Sequence, residues 1–521
     1  MRTRTLTRTL LLLLSLRAAS PLRAQDPNQI LDQYAKASGG SGRLAKLQTL
    51  SLEGSLSRAS DGKTGTFTLK CKSPNRYYLE LRAGEESDIL AYNGKSAWHL
   101  SAPGEAATLL GSDALQIEAV ASFTASHLLN LKKNKVGVAY VGPAKVSGPD
   151  SKNDDHHEAS QIEFTTPSGV KRQFFLDVSS HLLLRESGEA AGAPFEITYG
   201  DYRPENGIAI SHKLQIQLGI QNYNVVITRV AVNETVGERV FDFPRKSQVQ
   251  LPDLKKLFAE IDSNQKTLDK LRENYTGHRA TEETEFDGSG KITKVDREEH
   301  TFFFFDGHEV STLIAKDGKP LSEAQQAKEN EKTRKYIEDL QKREAKKDQK
   351  EEKAREEGKE EKDQDDPGIE SFLRACQFVN PRRERFRGQD VLVFDFEGNP
   401  EYKPRKMVEK IAQQLAGVVW IDERQHQVAR LEAYFVKDFR FFGGLLANLQ
   451  KGTSFIFEQA FINNEVWLPT YGEAHVAVRI LLKGFRVNEI TRYSDYQRFN
   501  VNTLANIGEP KDATVPGPKH P

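Results

Sequence analysis

The sequence predicts a mainly β fold (α+β): two tandem, strongly curved antiparallel sheets, each with its concave apolar face covered by helices. Three observations predict it. The segments "YYLELR" (77–82), "KLQIQLG" (213–219), "ARLEAYF" (429–435) and "HVAVRI" (475–480) alternate apolar and polar residues, the pattern of a sheet with one buried and one wet face. Helical patterns are few and sit before and within the strand series. One hairpin pattern occurs twice, as "FFLDVSSHLLLRE" at 174–186 and "VVWIDERQHQVARLE" at 418–432. Each is an apolar run closed by Asp, a short polar stretch, and a second run returning apolar residues with an Arg near its end.

The chain opens with Arg2, Arg4 and Arg8, an apolar core over 10–16, and the small-residue exit "AASPLRA". This reads as a secretory signal, 1–24, cut after Ala24 and too short to span a membrane. The mature chain is then expected in the periplasm of a two-membrane cell. Lys plus Arg and Asp plus Glu both number 74, which removes the global attraction of a nucleic-acid binder. Hydrophobic residues at 37% and charged residues at 28% describe a polar globular chain rather than a disordered one.

The elements recur in one order. "DPNQILDQYAKASGG" has Asp26 as N-cap, Pro27 in the first turn and Gly39-Gly40 as a stop; its counterpart opens at Asp253, with Leu254, Leu257, Phe258 and Ile261 on one face. "LAYNGKSAWHL" and "FFFFDGHEV" place Asn93-Gly94 and Asp306-Gly307 between apolar runs, as type I′ hairpins. An amphipathic helix follows, over about 113–131 and about 368–378. The repeated hairpin comes last. From Gly94 to Asp177 is 83 residues and from Gly307 to Asp422 is 115. The charged insertion "KENEKTRKYIEDLQKREAKKDQKEEKAREEGKEEKDQDD" accounts for the excess. With almost no apolar residues it is expected to be a solvated helix, with coiled-coil-like composition, running into a disordered stretch without packing on a core. The "YGDY" at 199–202 and "YSDY" at 493–496 look equivalent, yet aligning the hairpins puts the second one strand too late. The domains are therefore 25–246 and 253–505, the second carrying the insertion 322–367, with a flexible tail at 506–521. The two cysteines, Cys71 in an alternating run and Cys376 on a helical face with Ile369, Phe372 and Leu373, read as buried free thiols.

This order of helix, strands, Asn/Asp-Gly hairpin, covering helix and strand-Asp-turn-strand resembles the LolA/LolB-type periplasmic lipoprotein carriers and outer-membrane lipoprotein-sorting proteins. The match is closer in the first half, carried by "ILDQYAKASGG", "AYNGKSAWHL", "FFLDVSSHLLLRE" and "YGDYRPENGIAISHKL". The resemblance implies an unclosed barrel that holds a lipid anchor between its sheet and its helices. It implies binding and sorting by sequestration, without catalysis or cofactor. Two such domains in one chain depart from the single-domain carriers. The same half-barrel also serves in envelope stress-sensing and interaction modules, which gives a second reading; an unrecognised hydrolase is a third.

An acyl chain leaving water gains about 0.8 kcal/mol per buried CH2, so a carrier needs a concave apolar cavity. The candidate lining residues are Trp98, Phe123, Leu128, Leu129, Phe174 and Leu176 in the first half. In the second they are Trp420, Leu431, Phe435, Phe439, Phe441, Phe442, Leu445 and Leu446, the last five crowding around Gly443-Gly444 as a cavity lip or membrane-touching tip. All of them could equally fill cores. The expected partners are lipid or lipoprotein acyl chains and a transient membrane or envelope protein, with no nucleic acid. "DDHHE" at 154–158 reads as a solvated loop rather than a metal site. "ETEFDGSGKITKVD" reads as a hairpin turn rather than a calcium loop, since its first and last ligands are swapped in type. The sequence has no HExxH, no G-x-S-x-G and no phosphate-cradling Gly loop.

Overall fold

The computed structural model describes residues 26–102, 104, 106–149, 156–244, 253–287, 291–305, 307–356, 372, 374–441, 447–480 and 483–499. The expected signal 1–24 and tail 506–521 lie outside them. The chain divides into two compact units, Met1–Asp242 and Phe243–Pro521.

In the first unit α1 (Pro27–Ala37) and α2 (Ser41–Leu44) lead into β1 (Thr49–Arg58), β2 (Thr64–Lys72), β3 (Arg76–Ala83), β4 (Glu86–Tyr92), β5 (Ala97–Ser101) and β6 (Ala107–Thr108). Helix α3 (Gly111–Ser126) follows. Then come β7 (Gly137–Val146), β8 (His157–Thr165), β9 (Lys171–Asp177), β10 (Leu183–Ala190), β11 (Ala193–Glu205), β12 (Ile208–Leu218) and β13 (Gln221–Val232). The chain steps outward from β1 to β6, crosses through α3 to β7 at the far edge, and returns to β13, which pairs antiparallel with β1. The edges β6 and β7 do not pair, so the barrel is open.

The second unit repeats this order. After α4 (Leu254–Arg272) the chain steps out through β14 (Tyr275–Phe286), β15 (Ile292–Phe305), β16 (His308–Lys316) and β17 (Lys319–Pro320). It crosses by way of α5 (Glu323–Glu356) to β18 (Cys376–Phe386) and β19 (Gln389–Gly398). It returns through β20 (Leu415–Asp422), β21 (Val428–Phe435), β24 (Ser454–Ile462) and β25 (Val466–Ile480) to β26 (Lys483–Arg498), which pairs with β14. A short hairpin, β22 (Phe439–Phe441) with β23 (Ala447–Leu449), is inserted where the first unit turns directly from β10 into β11.

The twice-written hairpin folds the same way twice. Asp177 Oδ1 accepts the amides of Ser179 (2.8 Å) and Ser180 (2.6 Å); Asp422 Oδ1 accepts those of Arg424 (3.0 Å) and Gln425 (2.7 Å). His181 and His426 both take left-handed backbone, at φ 60° and 51°. One residue then bulges in each return strand, so Phe175 faces Arg185 and Trp420 faces Arg430. Both arginines lie over those rings, at 4.1 and 5.9 Å. The bulge breaks the strict alternation read in "ARLEAYF": Ala429 and Arg430 are both buried. "YGDY" lies in β11 and "YSDY" in β26, which are not equivalent strands.

Several local expectations change. Only Gly94 of the Asn93-Gly94 pair has a positive φ; Asn93 Oδ1 instead caps the amides of Lys95 and Ser96, so the turn is an Asx turn rather than type I′. Cys376 begins β18 instead of lying on a helix. Both thiols are free and buried, and burial pushes the Cys376 thiol up to about 12 and Cys71 higher still, so both stay protonated and inert. Glu323–Glu356 of the charged insertion form α5, whose first half does touch the sheet: Gln326 donates to the Leu313 carbonyl, Thr333 to that of Ser311, and Leu340 is buried; residues 357–367 lie outside the described residues. Among the described residues these contacts end at Leu340. Deleting 343–365 is therefore expected to leave the thermal midpoint within about 1 °C, as surface changes cost little, whereas a deletion starting at Lys328 should lower it measurably by differential scanning calorimetry.

Candidate functional site

Helix α4 lies on the concave face of the second sheet because its apolar residues recur at helical spacing. Leu257 and Ile261 are buried against β18–β21, and Leu268 packs with Tyr275 and Trp467 nearer the first strands. Its middle is tied to the repeated hairpin: Glu260 pairs with His426 at 2.5 Å, and Asn264 Nδ2 donates to the Gln425 carbonyl at 3.3 Å. Both partners of that ion pair are partly solvated, so it contributes no more than about 1 kcal/mol. Apolar burial therefore holds the helix.

Beneath α4 is a cavity of about 150 Å³. Phe258 and Ile261 roof it, Phe372 and Phe378 form one wall, and Val419, Ile421, Val428 and Leu431 supply the floor. No lining residue is polar. Phe258 and Phe378 stack tilted at 4.8 Å across one end. Apolar cavities of about this volume stay dry and accept a benzene-sized guest, while ligand sites run to about 300–1,000 Å³. The cavity's volume matches the end of an acyl chain rather than a whole one.

The first unit treats the same place differently. Helix α3 is buried on more than one side rather than along a single stripe, although it also carries Asp113, Gln116 and Glu118. Its Ile117, Val120, Ala121 and Ala125 join one core cluster, and Ala119 and Phe123 join another. Phe123, Phe164 and Phe174 close on one another with centroids 4.9–5.7 Å apart. Counting from the hairpin Asp, Glu186 occupies the position of Leu431, and Arg172 that of Gly417. These two charges lie on the concave face, 0% and 4% exposed in their side chains, 3.6 Å apart. Tyr199 donates to Glu186 at 2.7 Å, Arg172 Nη1 to the Glu189 carbonyl at 3.2 Å, and the guanidinium lies over Phe195 at 5.4 Å. Burial first, then the Glu186 charge, raises the Tyr199 hydroxyl well above its ordinary value.

Among the described residues singled out from sequence, only Leu431 lines the cavity. Phe435 and Phe439 belong to the adjoining core, 6.1 Å apart. Phe123, Leu128, Phe174 and Leu176 share the second core cluster of the first unit, and Leu129 packs on the first. Trp98 and Trp420 sit on the opposite faces of their sheets: Trp98 Nε1 donates to the Phe241 carbonyl, and Trp420 meets Arg430 and Phe386. Phe441 lies in β22. Phe442, Leu445 and Leu446 fall outside the described residues. Phe258, Ile261, Phe372, Phe378, Val419, Ile421 and Val428 also line the cavity and were not singled out from sequence; the helical spacing of α4 was the signal that pointed to the first two.

Among the described residues the polar clusters are engaged in local contacts. His99 and Ser101 both engage Asp88 directly, so the serine has no histidine as its base. In "DDHHE", His156 bonds Ser147 and His157 bonds Asp177 at 3.1 Å. Glu283, Glu285 and Asp296 come close enough to share a cation on the β14–β15 ribbon, but Lys294 pairs with both Glu285 and Asp296.

No protein-family model and no curated protein matches the chain. Among solved structures it is similar to a DUF1329 family protein from Desulfovibrio piger ATCC 29098, at 15% identity and TM-score 0.27, covering 42% of this chain and 98% of that one. It is similar to an outer membrane lipoprotein-sorting protein domain from Vibrio parahaemolyticus, at 12% identity and TM-score 0.27, covering 41% and 94%. A LolA superfamily protein from Nitrosomonas europaea gives 11% identity and TM-score 0.27, covering 41% and 96%. These are likenesses of fold at low identity; the open half-barrel rests on the strand order and register of the chain itself.

Proposed function

We propose that this protein binds the acyl chain of a lipid or lipoprotein in its second unit, by sequestration and without chemistry, as an exported envelope carrier. The observation that carries the reading is the wholly apolar cavity under α4. The first unit is the companion and not a second site, because a buried carboxylate and guanidinium stand where Leu431 and Gly417 stand in the second. A methylene chain placed against that pair would strip the charges of partners while offering none.

Filling the cavity tests this. Leu431→Trp places an indole in the space, and displacing three or four methylenes costs about 2–3 kcal/mol of binding. Affinity for a fluorescent hexadecanoate analogue, followed by titration, is expected to fall at least tenfold. Val428→Phe, which intrudes from the neighbouring position, should do the same if the first variant folds poorly. Binding unchanged in both folded variants would refute the cavity as the site.

A further inference from the structure

The concave face of the second unit changes character along the sheet. Cross-strand partners share a face, so the register traces its floor from the cavity: Leu431 opposite Phe457, Phe457 opposite Gly472, Gly472 opposite Thr491, Thr491 opposite Thr281. Apolar side chains give way to hydroxyls, and Thr281 and Thr491 touch at 3.3 Å. Two residues along β14 on the same face stands Arg279, opposite His300 on β15 and Tyr493 on β26.

Arg279 is held ready. Its Nη1 donates to Glu309 at 2.5 Å and its Nη2 to Ser311 Oγ at 3.3 Å, both from β16 on the same face. Its Nε has no hydrogen-bond acceptor, nor does His300 Nδ1 across from it, although both atoms are buried. The guanidinium side chain keeps 24% of its exposure. Burial, and then the neighbouring Arg279 charge, lowers the His300 pKa, so the ring is a neutral donor or acceptor near neutrality. Burial is also the largest influence on Glu309, raising its pKa despite the arginine beside it. Four strand spacings of about 4.8 Å separate Leu431 from Thr281, about 19 Å along the sheet, comparable with the reach of a long acyl chain.

We propose that Arg279, with Tyr493 and His300 beside it, receives the anionic headgroup of the lipid whose chain enters the cavity, a carboxylate or phosphate oxyanion. This rests on the acyl-chain reading of the second unit. The test compares hexadecanoate, palmitoyl lysophosphatidate and uncharged monopalmitoylglycerol as ligands of the full chain by isothermal titration calorimetry. Wild type is expected to prefer the two anions by at least tenfold; Arg279→Gln should remove that preference while leaving monopalmitoylglycerol within about twofold, and Arg279→Lys should restore part of it. The stronger of the two anions tells carboxylate from phosphate recognition. Equal wild-type affinity for all three, or loss of the neutral ligand alongside the anions in folded Arg279→Gln, overturns the headgroup site and leaves the cavity reading standing. If no ligand binds wild type, both fall. Should Arg279→Gln fail to fold, the wild-type preference alone decides.

Discussion

Arg172→Ala is expected to destabilise the first unit by about 3–5 kcal/mol, the cost of breaking a buried ion pair from one side. The arginine is fully buried, and Gly188 is the residue that makes room: a Cβ there would stand 3.0 Å from Arg172 Nη1. Removing the guanidinium leaves the buried Glu186 carboxyl without its partner, with the Tyr199 hydroxyl still donating to it at 2.7 Å. Replacing the pair together should be far milder, since well-packed apolar substitutes for buried ions are often neutral or better. The triple variant Arg172→Met, Glu186→Leu, Tyr199→Phe makes that comparison, and it brings a leucine to position 186, as the second unit has at the equivalent Leu431. Urea unfolding followed by fluorine NMR of fluorotryptophan-labelled protein separates the units, because Trp98 lies in the first and Trp420 and Trp467 in the second. A single variant no weaker than the triple would show that the two charges do not depend on each other.

Phe123→Ala should cost the same unit a further and separate amount, about 3–5 kcal/mol for a large-to-small change at a buried ring. Phe123 is the ring by which α3 reaches Phe164 at 5.5 Å and Phe174 at 5.7 Å, so its loss leaves a void between the helix and β8–β9. The Trp98 fluorine resonance should report the earlier transition while those of Trp420 and Trp467 hold. A cost below about 1 kcal/mol would mean that the trio is loosely packed.

The hairpin pair was legible because its information is local. Asp closes a strand by capping the next amides wherever it stands, and the αL position after it suits a short polar turn, so "LDVSSHL" and "IDERQHQ" announce the same geometry in any context. Helix α1 was equally plain, with Asp26 accepting the Asn28 amide at 2.9 Å and Pro27 at the first turn. The helical run before β18 misled because Phe372, Ala375 and Cys376 keep apolar spacing on both sides of a helix-to-strand change. The charged insertion misled in another way: α5 contacts β16 through Gln326 and Thr333, polar groups that hydrophobic patterning does not count.

Composition, alternation and turn chemistry thus determined that this chain forms two curved antiparallel sheets with helices laid on them, since each of those signals acts within a few residues; the strand order decided that the sheet stays open, with β6 and β7 as its edges in the first unit. Which apolar residues face a cavity was decided only in three dimensions. Trp98 and Trp420 were among the candidate lipid contacts, yet Trp420 stands between Val419 and Ile421, which line the cavity, and so faces Arg430 and Phe386 on the other side, while Trp98 donates to the Phe241 carbonyl. Whether the concave face is filled or hollow was likewise a tertiary matter. It depends on whether a buried helix and an ion pair, or a roof of Phe258 and Ile261 over Leu431, meet across the sheet from segments far apart in sequence.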